Sequence, residues 1–387
     1  MARHHLTIGM FTDTYLPQTN GVVSSLLASA DALRRRGHRV IIVAPGLGEV
    51  DEAHPDVFYL RSASFPFYPE FRMAFPLPAK LVANLPRVPF NVIHAHSFFF
   101  IGCLGAYLAR VRNVPLAYTY HTRFVDYAHY LPVHQRVTKT QAVWISREFC
   151  NHCDRVITPT TDVERLLRSY GVEKAIDIIP TGIDLATFAG DGEVPRTIAA
   201  LQGHPILLSV GRIAKEKNLD FLADAFAHLV TRRPDARLVM VGDGPYRSEL
   251  EQRCVSLGCR ELVSFVGDLP QQQLGGYYSN ADCFVFSSKT ETQGLVLLEA
   301  MAHGLPAVAV DCAVTREVLR SAAGTLTDDD PHAFADAVEL FLREAPAQRE
   351  ARRQAARTAA TPYSSDALAV VLEQLYVDAA GSFAVAR

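Results

Sequence analysis

The sequence predicts an α/β protein built from two doubly wound domains, each a mainly parallel sheet wrapped by helices. Three observations predict it. Short Val- and Ile-rich runs alternate with stretches of helical period, as in sheets buried on both faces. That pattern restarts near the middle of the chain. And 387 residues exceed what one core of roughly 100–200 residues holds, which suits two domains.

The first strand is LTIGMF (6–11), followed by a loop and the run VVSSLLASADALRRRG, whose apolar spacing fits 3.6 residues per turn, with Gly37 as its C-cap. HRVIIVAP (38–45), FNVIHAH (90–96), PLAYTYH (115–121) and DRVITPT (154–160) are further buried-strand patterns. The series begins again with HPILLSVGR (204–212), a helix over 219–230, then ARLVMVGDG (236–244), ELVSFVG (261–267), DCFVFSS (282–288) and LPAVAVD (305–311). Between the halves, GIDLATFAGDGEVPRTIAALQG has turn residues and weak periodicity. The expected division is therefore a domain over 1–185, a linker over 186–203 and a second domain over 204–365. A last helix over 366–387 is expected to cross back to the first domain. The alanine-rich stretch 331–378 is broken at Pro362. Two such domains predict a cleft facing the carboxyl ends of both sheets, where open α/β sheets bind ligands.

Apolar residues at 49% and charged residues at 20% give a globular composition without a disorder signature. The net charge of -3 suggests no nucleic-acid partner, although basic residues are in slight excess in the first half and acidic ones in the second. Seven scattered cysteines read as a reducing compartment. The opening MARHHLTIGMFTDTY has no apolar run behind its basic start, so no signal peptide is expected. No stretch approaches the ~20 apolar residues that span a bilayer. A cytoplasmic protein is expected, with any membrane contact peripheral, on the inner face of the plasma membrane.

The segment KTETQGLVLLEAMAHGLP carries the chemistry of the second half. It predicts a helix from about Gly294 to His303. The first amides of that helix, at Gly294, Leu295 and Val296, have no intrahelical acceptor and suit an anion. Glu291 precedes the helix and Glu299 lies inside it, eight positions on. Carboxylates accept hydrogen bonds from sugar hydroxyls. Two of them flanking a phosphate-binding helix suit a nucleotide sugar, with hydroxyls on both sides of a diphosphate. Alternatively, both are solvated surface acids. In SVGRIAKEKNLD, Arg212 follows a strand and Lys217 comes five residues later. Together they can clamp a diphosphate, the arginine as a planar fork and the lysine as a point charge. Lys215 is expected to face outward. Gly242 in VGDGP marks a turn where a side chain would obstruct a ligand. Val266 and Gly267 in FVGDL can line a slot for a base.

GRIAKEKNLD together with ETQGLVLLEAMAHGLPAVAV resembles the retaining nucleotide-sugar glycosyltransferases of the two-domain GT-B class, family 4, along essentially the whole chain. The family's E-x7-E arrangement is matched by Glu291 and Glu299. The resemblance implies that Glu291 contacts the transferred sugar, Glu299 holds the ribose, and Arg212 with Lys217 holds the diphosphate. Gln293 stands where phenylalanine is frequent, which bears on sub-family more than on activity.

In the first half, TDTYLPQTNGVVSSL has Asn20-Gly21 between strand and helix and lacks the G-x-G-x-x-G fingerprint, against a nicotinamide enzyme. The resemblance implies a glycine loop at Gly21 facing donor phosphates or acceptor, bordered by Asp13 and Thr14. It also implies that His121, in YTYHTRF, contacts the hexose near the reacting carbon. For His94 and His96 in VIHAHS, structural and functional roles are equally open. CNHC offers Cys150, His152 and Cys153, one short of a structural zinc set, and core cysteines are the favoured reading. No Asp-x-Asp pair follows a strand in the manner of metal-dependent transferases, and DDD at 328–330 falls in a loop. No metal or cofactor is expected.

The resemblance further implies retention at the anomeric carbon. A departing phosphate oxygen takes the acceptor's proton, and domain closure excludes water. TDTYLPQTNGVV and YTYHTRFVDYAHYLP are similar to bacterial diacylglycerol glucosyltransferases, which implies UDP-glucose and a lipid acceptor, with Tyr127, His129 and Tyr130 at the acceptor end. FPFYPEFRMAFPLPAKLVANLPR (65–87) and the basic triplet 34–36 are candidates for a lipid interface, the alternative being an ordinary surface loop. GDP-mannose or UDP-galactose as donor, and a non-catalytic nucleotide-sugar-binding module, are the other readings.

Overall fold

In a computed structural model of the chain, residues 5–18, 20–46, 55–65, 68–74, 85–125, 135–185, 193–319 and 323–385 are described. The first half runs β1 (Thr7–Phe11), α1 (Gly21–Arg35), β2 (Arg39–Gly46), β3 (Val57–Phe65), β4 (Tyr68–Ala74), β5 (Val92–Ala95), α2 (Phe100–Arg112), β6 (Leu116–Thr119), α3 (Gln135–His152), β7 (Arg155–Thr158), α4 (Thr161–Ser169) and β8 (Ile176–Ile178). These strands form one sheet in the order β4-β3-β2-β1-β5-β6-β7-β8, with only β3 and β4 antiparallel among the pairs.

Strand alternation puts two cores on this sheet. Ile8, Met10, Val40 and Ile42 face α1 residues Leu26 and Leu33. Phe11, Ile41, Val43 and Ile93 face α2 residues Ile101 and Leu108. Burial of both faces is why these strands read as continuous apolar runs.

The second half continues with α5 (Arg196–Ala199), β9 (Ile206–Val210), α6 (Leu219–Val230), β10 (Arg237–Val241), α7 (Arg247–Ser256), β11 (Val263–Gly267), α8 (Gln271–Asn280), β12 (Cys283–Phe286) and α9 (Leu295–Ala302). After these come β13 (Ala307–Val310), α10 (Ala313–Leu319), β14 (Gly324–Thr327), α11 (Pro331–Leu342), α12 (Pro346–Ala360) and α13 (Ser365–Val385). The second sheet is parallel in the order β11-β10-β9-β12-β13-β14. Its two faces carry separate cores, one with Leu297 and Met301 of α9, the other with Phe226 of α6 and Phe334 of α11.

The chain divides into one unit of residues 1–182 and 365–387 and another of residues 183–364. Residues 193–203, expected in the linker, instead lie in the second unit, where Ile198 joins the core. Helix α13 lies in the first unit, with Ala369, Leu372, Leu375 and Tyr376 in the same core as α1. Arg35 bonds Asp366 at 2.7 Å, and Arg36 pairs with Glu373. Arg34 pairs with Asp31 at 3.2 Å. The basic triplet expected to attract a lipid surface is therefore neutralised within its own unit.

Both sheets share one feature that decides where chemistry belongs. From β1 the chain moves outward through β2 to β3, then returns to β5 on β1's other side and moves the opposite way. From β9 it does the same through β10 and β11 before returning to β12. The helices leaving β1 and β9 diverge from those leaving β5 and β12. That opens a crevice at the strands' carboxyl ends, the usual binding position in such sheets.

Every expected strand run contains a strand, but β3, β4, β8 and β14 escaped the reading. β8 is a three-residue edge strand, half exposed, and β14 is the polar run GTLT. Neither shows the apolar signal of a doubly covered strand.

Candidate active site

At the second sheet's switch point, the segments after β9 and β12 meet. Gly211 leaves β9 at φ 141°, and Lys215–Lys217 forms a 3-10 turn closed by Asn218 in the left-handed region at φ 56°. Asn218 Nδ2 donates to the Ser287 carbonyl at 3.2 Å, and Ser287 Oγ donates to the Lys217 carbonyl at 3.0 Å. Thr290 Oγ1 donates to the Glu216 carbonyl at 3.0 Å. These bonds lace the two loops together although about seventy positions separate them.

The structure brings Lys217 and Glu291 together. Lys217 Nζ donates to Glu291 Oε1 at 2.6 Å, with both side chains mostly shielded from solvent. Burial pushes the Glu291 carboxyl up, but the Lys217 charge and its hydrogen bond pull harder, so it stays below its ordinary value and is ionised. Arg212 does not join them as a two-cation clamp. Its Nη2 donates to Glu216 Oε1 at 2.6 Å, and the Glu216 side chain is only 6% exposed. Each expected phosphate ligand thus already holds a carboxylate. Glu216, one helical turn beyond Arg212, was the legible but missed member of the set.

Gly294 opens α9 at φ 77°. Only glycine adopts this readily, so the entrance residue is fixed by backbone geometry. The helix is Leu295–Ala302, shorter than the expected 294–303, and its N-cap, Gly294, has no side chain with which to cap it. Leu295 and Val296 are half-buried in its first turn.

Glu299 is not a surface acid. It is 6% exposed and accepts from Tyr278 Oη at 2.8 Å and Gln271 Nε2 at 3.2 Å. Burial drives its carboxyl up to about 7, against the pull of those two bonds. Tyr278 and Gln271 come from α8, more than twenty positions away, and nothing in the sequence pointed to them.

The role expected for Gly242 is corrected. A Cβ there would lie 2.1 Å from the Gly211 carbonyl oxygen, and one at Gly244 would lie 2.3 Å from that of Ile213. These glycines let the β10 loop lie against the β9 loop, where Gly211 N donates to Val241 O and Ile213 N to Asp243 O, both at 2.9 Å. Val266, next to last in β11, is half-buried against the core, and the carbonyl of Gly267, which ends the strand, accepts from Gly242 N at 2.8 Å. Lys215 lies over the Tyr246 ring at 5.5 Å. A cavity of about 550 Å³ lined by His204, Pro205, Asp235 and Arg349 opens at the opposite, amino end of β9 and takes no part in this site.

In the first unit, helix N-termini near the switch point are satisfied internally. Asn20 Oδ1 accepts from Val22 and Val23 N at 3.0 and 3.1 Å, so the amides after Gly21 are capped, not open to a phosphate as expected. Gly21 itself is exposed at the first position of α1. Thr14 Oγ1 accepts from Asn20 Nδ2 at 2.9 Å. Asp13, expected to border a ligand, is buried and caps α2. It accepts from Ile101 N at 2.9 Å, Gly102 N at 3.3 Å and Ser97 Oγ. Burial raises its carboxyl, while those bonds oppose the rise.

Within β5 and just beyond β5 and β6 lie three imidazoles. His94 bonds the Tyr376 and Thr119 hydroxyls, both at 2.7 Å. Its ring lies 4.2 Å from that of His96, whose Nδ1 lies 3.0 Å from His121 Nε2. Burial holds His94 and His121 down at about 3 and His96 well below its ordinary value, so all three are neutral. Arg123, two residues after His121, pairs with Asp162 at 2.9 Å. Tyr127, His129 and Tyr130 lie outside the described residues, as does much of 65–87. Cys150 and Cys153 are in the core, while His152 is exposed and bonds its own helix at the Glu148 carbonyl, 2.7 Å away. Among the described residues no cluster of His, Cys, Asp and Glu could hold a metal.

Two doubly wound units of this kind define the GT-B class of group-transfer enzymes. Residues 19–187 match glycosyltransferase family 4, and residues 193–359 match the glycosyl transferases group 1. An alpha-monoglucosyldiacylglycerol synthase of Streptococcus pneumoniae is 33% identical over 79% of this chain and 71% of its own length. A GDP-mannose-dependent alpha-mannosyltransferase of Mycolicibacterium smegmatis is 29% identical over 84% of this chain and 85% of its own. Sucrose-phosphate synthase from Thermosynechococcus elongatus has the same fold, with a TM-score of 0.75 at 22% identity over 97% of this chain and 99% of that one. The chain belongs to glycosyltransferase family 4 and is a hexosyltransferase.

Proposed function

We propose that the enzyme transfers glucose from UDP-glucose, with retention, to a lipid acceptor of the diacylglycerol type at a membrane surface. The observation that carries the donor half is the meeting of Lys217 and Glu291 at one switch point, just before the glycine-led N-terminus of α9, with Arg212 on the loop that carries Lys217. The diphosphate would take the amides of Gly294, Leu295 and Val296 and recruit Arg212 and Lys217 from their carboxylates. Val266 and Gly267 would shape the nucleoside end. Glu299 would receive the ribose, and Glu291 and His121 the hexose.

The bond from the anomeric carbon to the β-phosphate oxygen breaks with its electron pair going to that oxygen. The acceptor hydroxyl oxygen bonds the carbon from the same face and gives its proton to the departing phosphate. Arg212, Lys217 and the α9 amides stabilise the charge that develops. Glu291 orients hydroxyls and does not attack.

The lipid acceptor is supported by the name of the pneumococcal relative. It is also supported by α2, which exposes Phe100, Tyr107 and Val111, has Arg110 and Arg112 at its end and carries no acidic residue. Among the described residues no helix is long and apolar enough to cross a membrane, so contact would be peripheral, on the cytoplasmic side. The second reading, a GDP-mannose-dependent mannosyltransferase, is favoured by the Mycolicibacterium relative. A UDP-galactose donor fits the same residues.

The test presents purified full-length protein with labelled UDP-glucose, UDP-galactose and GDP-mannose, each against diacylglycerol in anionic vesicles and against a soluble polyol. Label entering only the lipid, from UDP-glucose and with the donor's anomeric configuration, is expected. Label entering only the polyol defeats the lipid reading, and an inverted product defeats retention.

A further inference from the structure

We propose that His96 is a positioning residue that holds His121 as its Nδ1–H tautomer, so that His121 meets the substrate as a hydrogen-bond donor. The proposal rests on the reading above that His121 touches the hexose, and it concerns a residue that reading leaves without a role.

The geometry restricts how protons can be arranged. The rings of His96 and His121 are within 13° of parallel with centroids 5.2 Å apart, and His96 Nδ1 lies 3.0 Å from His121 Nε2. Nearly coplanar rings at that separation make an in-plane N–H···N bond, not a face-to-face stack. The His96 backbone is tied down by its amide donating to the Phe11 carbonyl at 2.8 Å. Its neighbour His94 spends both nitrogens on Tyr376 and Thr119 and so touches His96 only through the ring face.

Each neutral imidazole has one N–H and one lone pair. The bond between the rings therefore has two forms. Either His96 Nδ1–H donates to His121 Nε2, or His121 Nε2–H donates to His96 Nδ1. His96 Nε2 decides between them. It is buried, in a residue 3% exposed, and has no hydrogen-bond partner among the described residues. In the second form this nitrogen would carry a proton, giving a buried N–H with no acceptor, the rarer and costlier kind of orphan. In the first form it carries only a lone pair. The first form wins, His121 Nε2 is the acceptor, and the proton of His121 sits on Nδ1. A donor there fits a sugar hydroxyl oxygen, which a bare ring nitrogen would meet only as an acceptor.

The experiment is a long-range 1H–15N spectrum of the full chain labelled at histidine, recorded without substrate. It is followed by kinetics on His96→Asn, His96→Asp and His96→Leu, with thermal midpoints as a folding control. His121 is expected to show a protonated Nδ1 and a bare Nε2. His96→Asn, whose amide can still donate to His121 Nε2, should keep that tautomer and most of kcat. His96→Asp offers only an acceptor, should move the proton to His121 Nε2, and should lower kcat roughly tenfold, the worth of one neutral hydrogen bond, with little change in donor KM. His96→Leu should lower kcat without restoring a single tautomer. A wild-type spectrum with the proton on Nε2 overturns the proposal. So does a folded His96→Asp protein with the wild-type tautomer, or with a shifted tautomer and unchanged kcat. Because the spectrum is taken on the free protein, failure of the donor and acceptor assignment would appear separately, as absence of transfer from every sugar nucleotide tried.

Discussion

Replacing Glu299 by glutamine should make the protein more stable above neutral pH and leave it little changed in acid. The magnitude follows from the site. In the folded chain the carboxyl titrates at about 7 against 4.5 for the free group, because burial outweighs the bonds from Tyr278 and Gln271. A folded value raised above the unfolded one means that the native state binds the proton more tightly. The associated stability is fully present below 4.5 and is lost as pH rises through 7. A shift of that size corresponds to about 3 kcal/mol, undiscounted because the group is buried. Glutamine never ionises, so it escapes the loss. Its amide can accept from Tyr278 but cannot also accept well from Gln271, which costs about 1 kcal/mol at every pH. Glu299→Gln should therefore match wild type near pH 5 and exceed it by roughly 2 kcal/mol at pH 8.5, or about 4–8 °C in the midpoint of a unit this size. The one tryptophan, Trp144, lies in the first unit, so its fluorescence reads the wrong half. Hydrogen exchange across α8 and α9 with urea unfolding reads the right one. A stability difference that stays flat between the two pH values would refute the reasoning. On the proposed function the same variant should also bind nucleotide more weakly.

Arg212→Ala should weaken donor binding and also destabilise the second unit by about 1–3 kcal/mol, since it leaves Glu216 shielded without its counter-charge. Arg212→Ala/Glu216→Gln should recover the melting temperature but not the donor affinity, and recovery of both would remove Arg212 from the site. Lys217→Met removes the main pull against the burial of Glu291, so residual transfer should fail at a higher pH on the acid side than in wild type; identical pH profiles would discount the pair. Gly242→Ala forces a Cβ to within 2.1 Å of a carbonyl oxygen at φ 132° and should cost upward of about 3 kcal/mol in urea unfolding. Asp13→Asn keeps the shape of the α2 cap but offers one acceptor oxygen in place of two, and should cost about 1 kcal/mol by the same measure.

What the sequence made legible was set by the range of the interaction. Strands buried on both faces announce themselves as runs, and the residues just beyond a strand are placed by the strand itself. So Arg212, Lys217, Glu291 and Gly294 could be read from spacing alone. The partner of each was not so placed. Glu216 lay within a helical turn of Arg212 and was within reach of inspection, but the hydroxyl that holds Glu299 comes from another helix, and the amides that hold Asp13 come from α2, 88 positions away. These long contacts decide the sign of each residue's behaviour. Asp13 looks like a ligand-facing acid and is a cap. Gly242 looks like room for a ligand and is room for backbone. Glu299 looks like an acceptor for a ribose or, alternatively, a surface acid, and it is buried.

The contrast between the units then has a physical reading. In the first, Asn20 and Asp13 already satisfy the helix amides at the switch point, leaving neutral imidazoles as the polar groups within β5 and just beyond β5 and β6. In the second, α9 opens on a glycine with no side-chain cap, beside cations held by carboxylates. An anion arriving there meets amides that the N-cap residue leaves uncapped, but it must compete with Glu216 and Glu291 for the two cations. Weakening either carboxylate should therefore tighten inorganic diphosphate even where it slows transfer. A static cationic clamp would give no such separation between binding and rate.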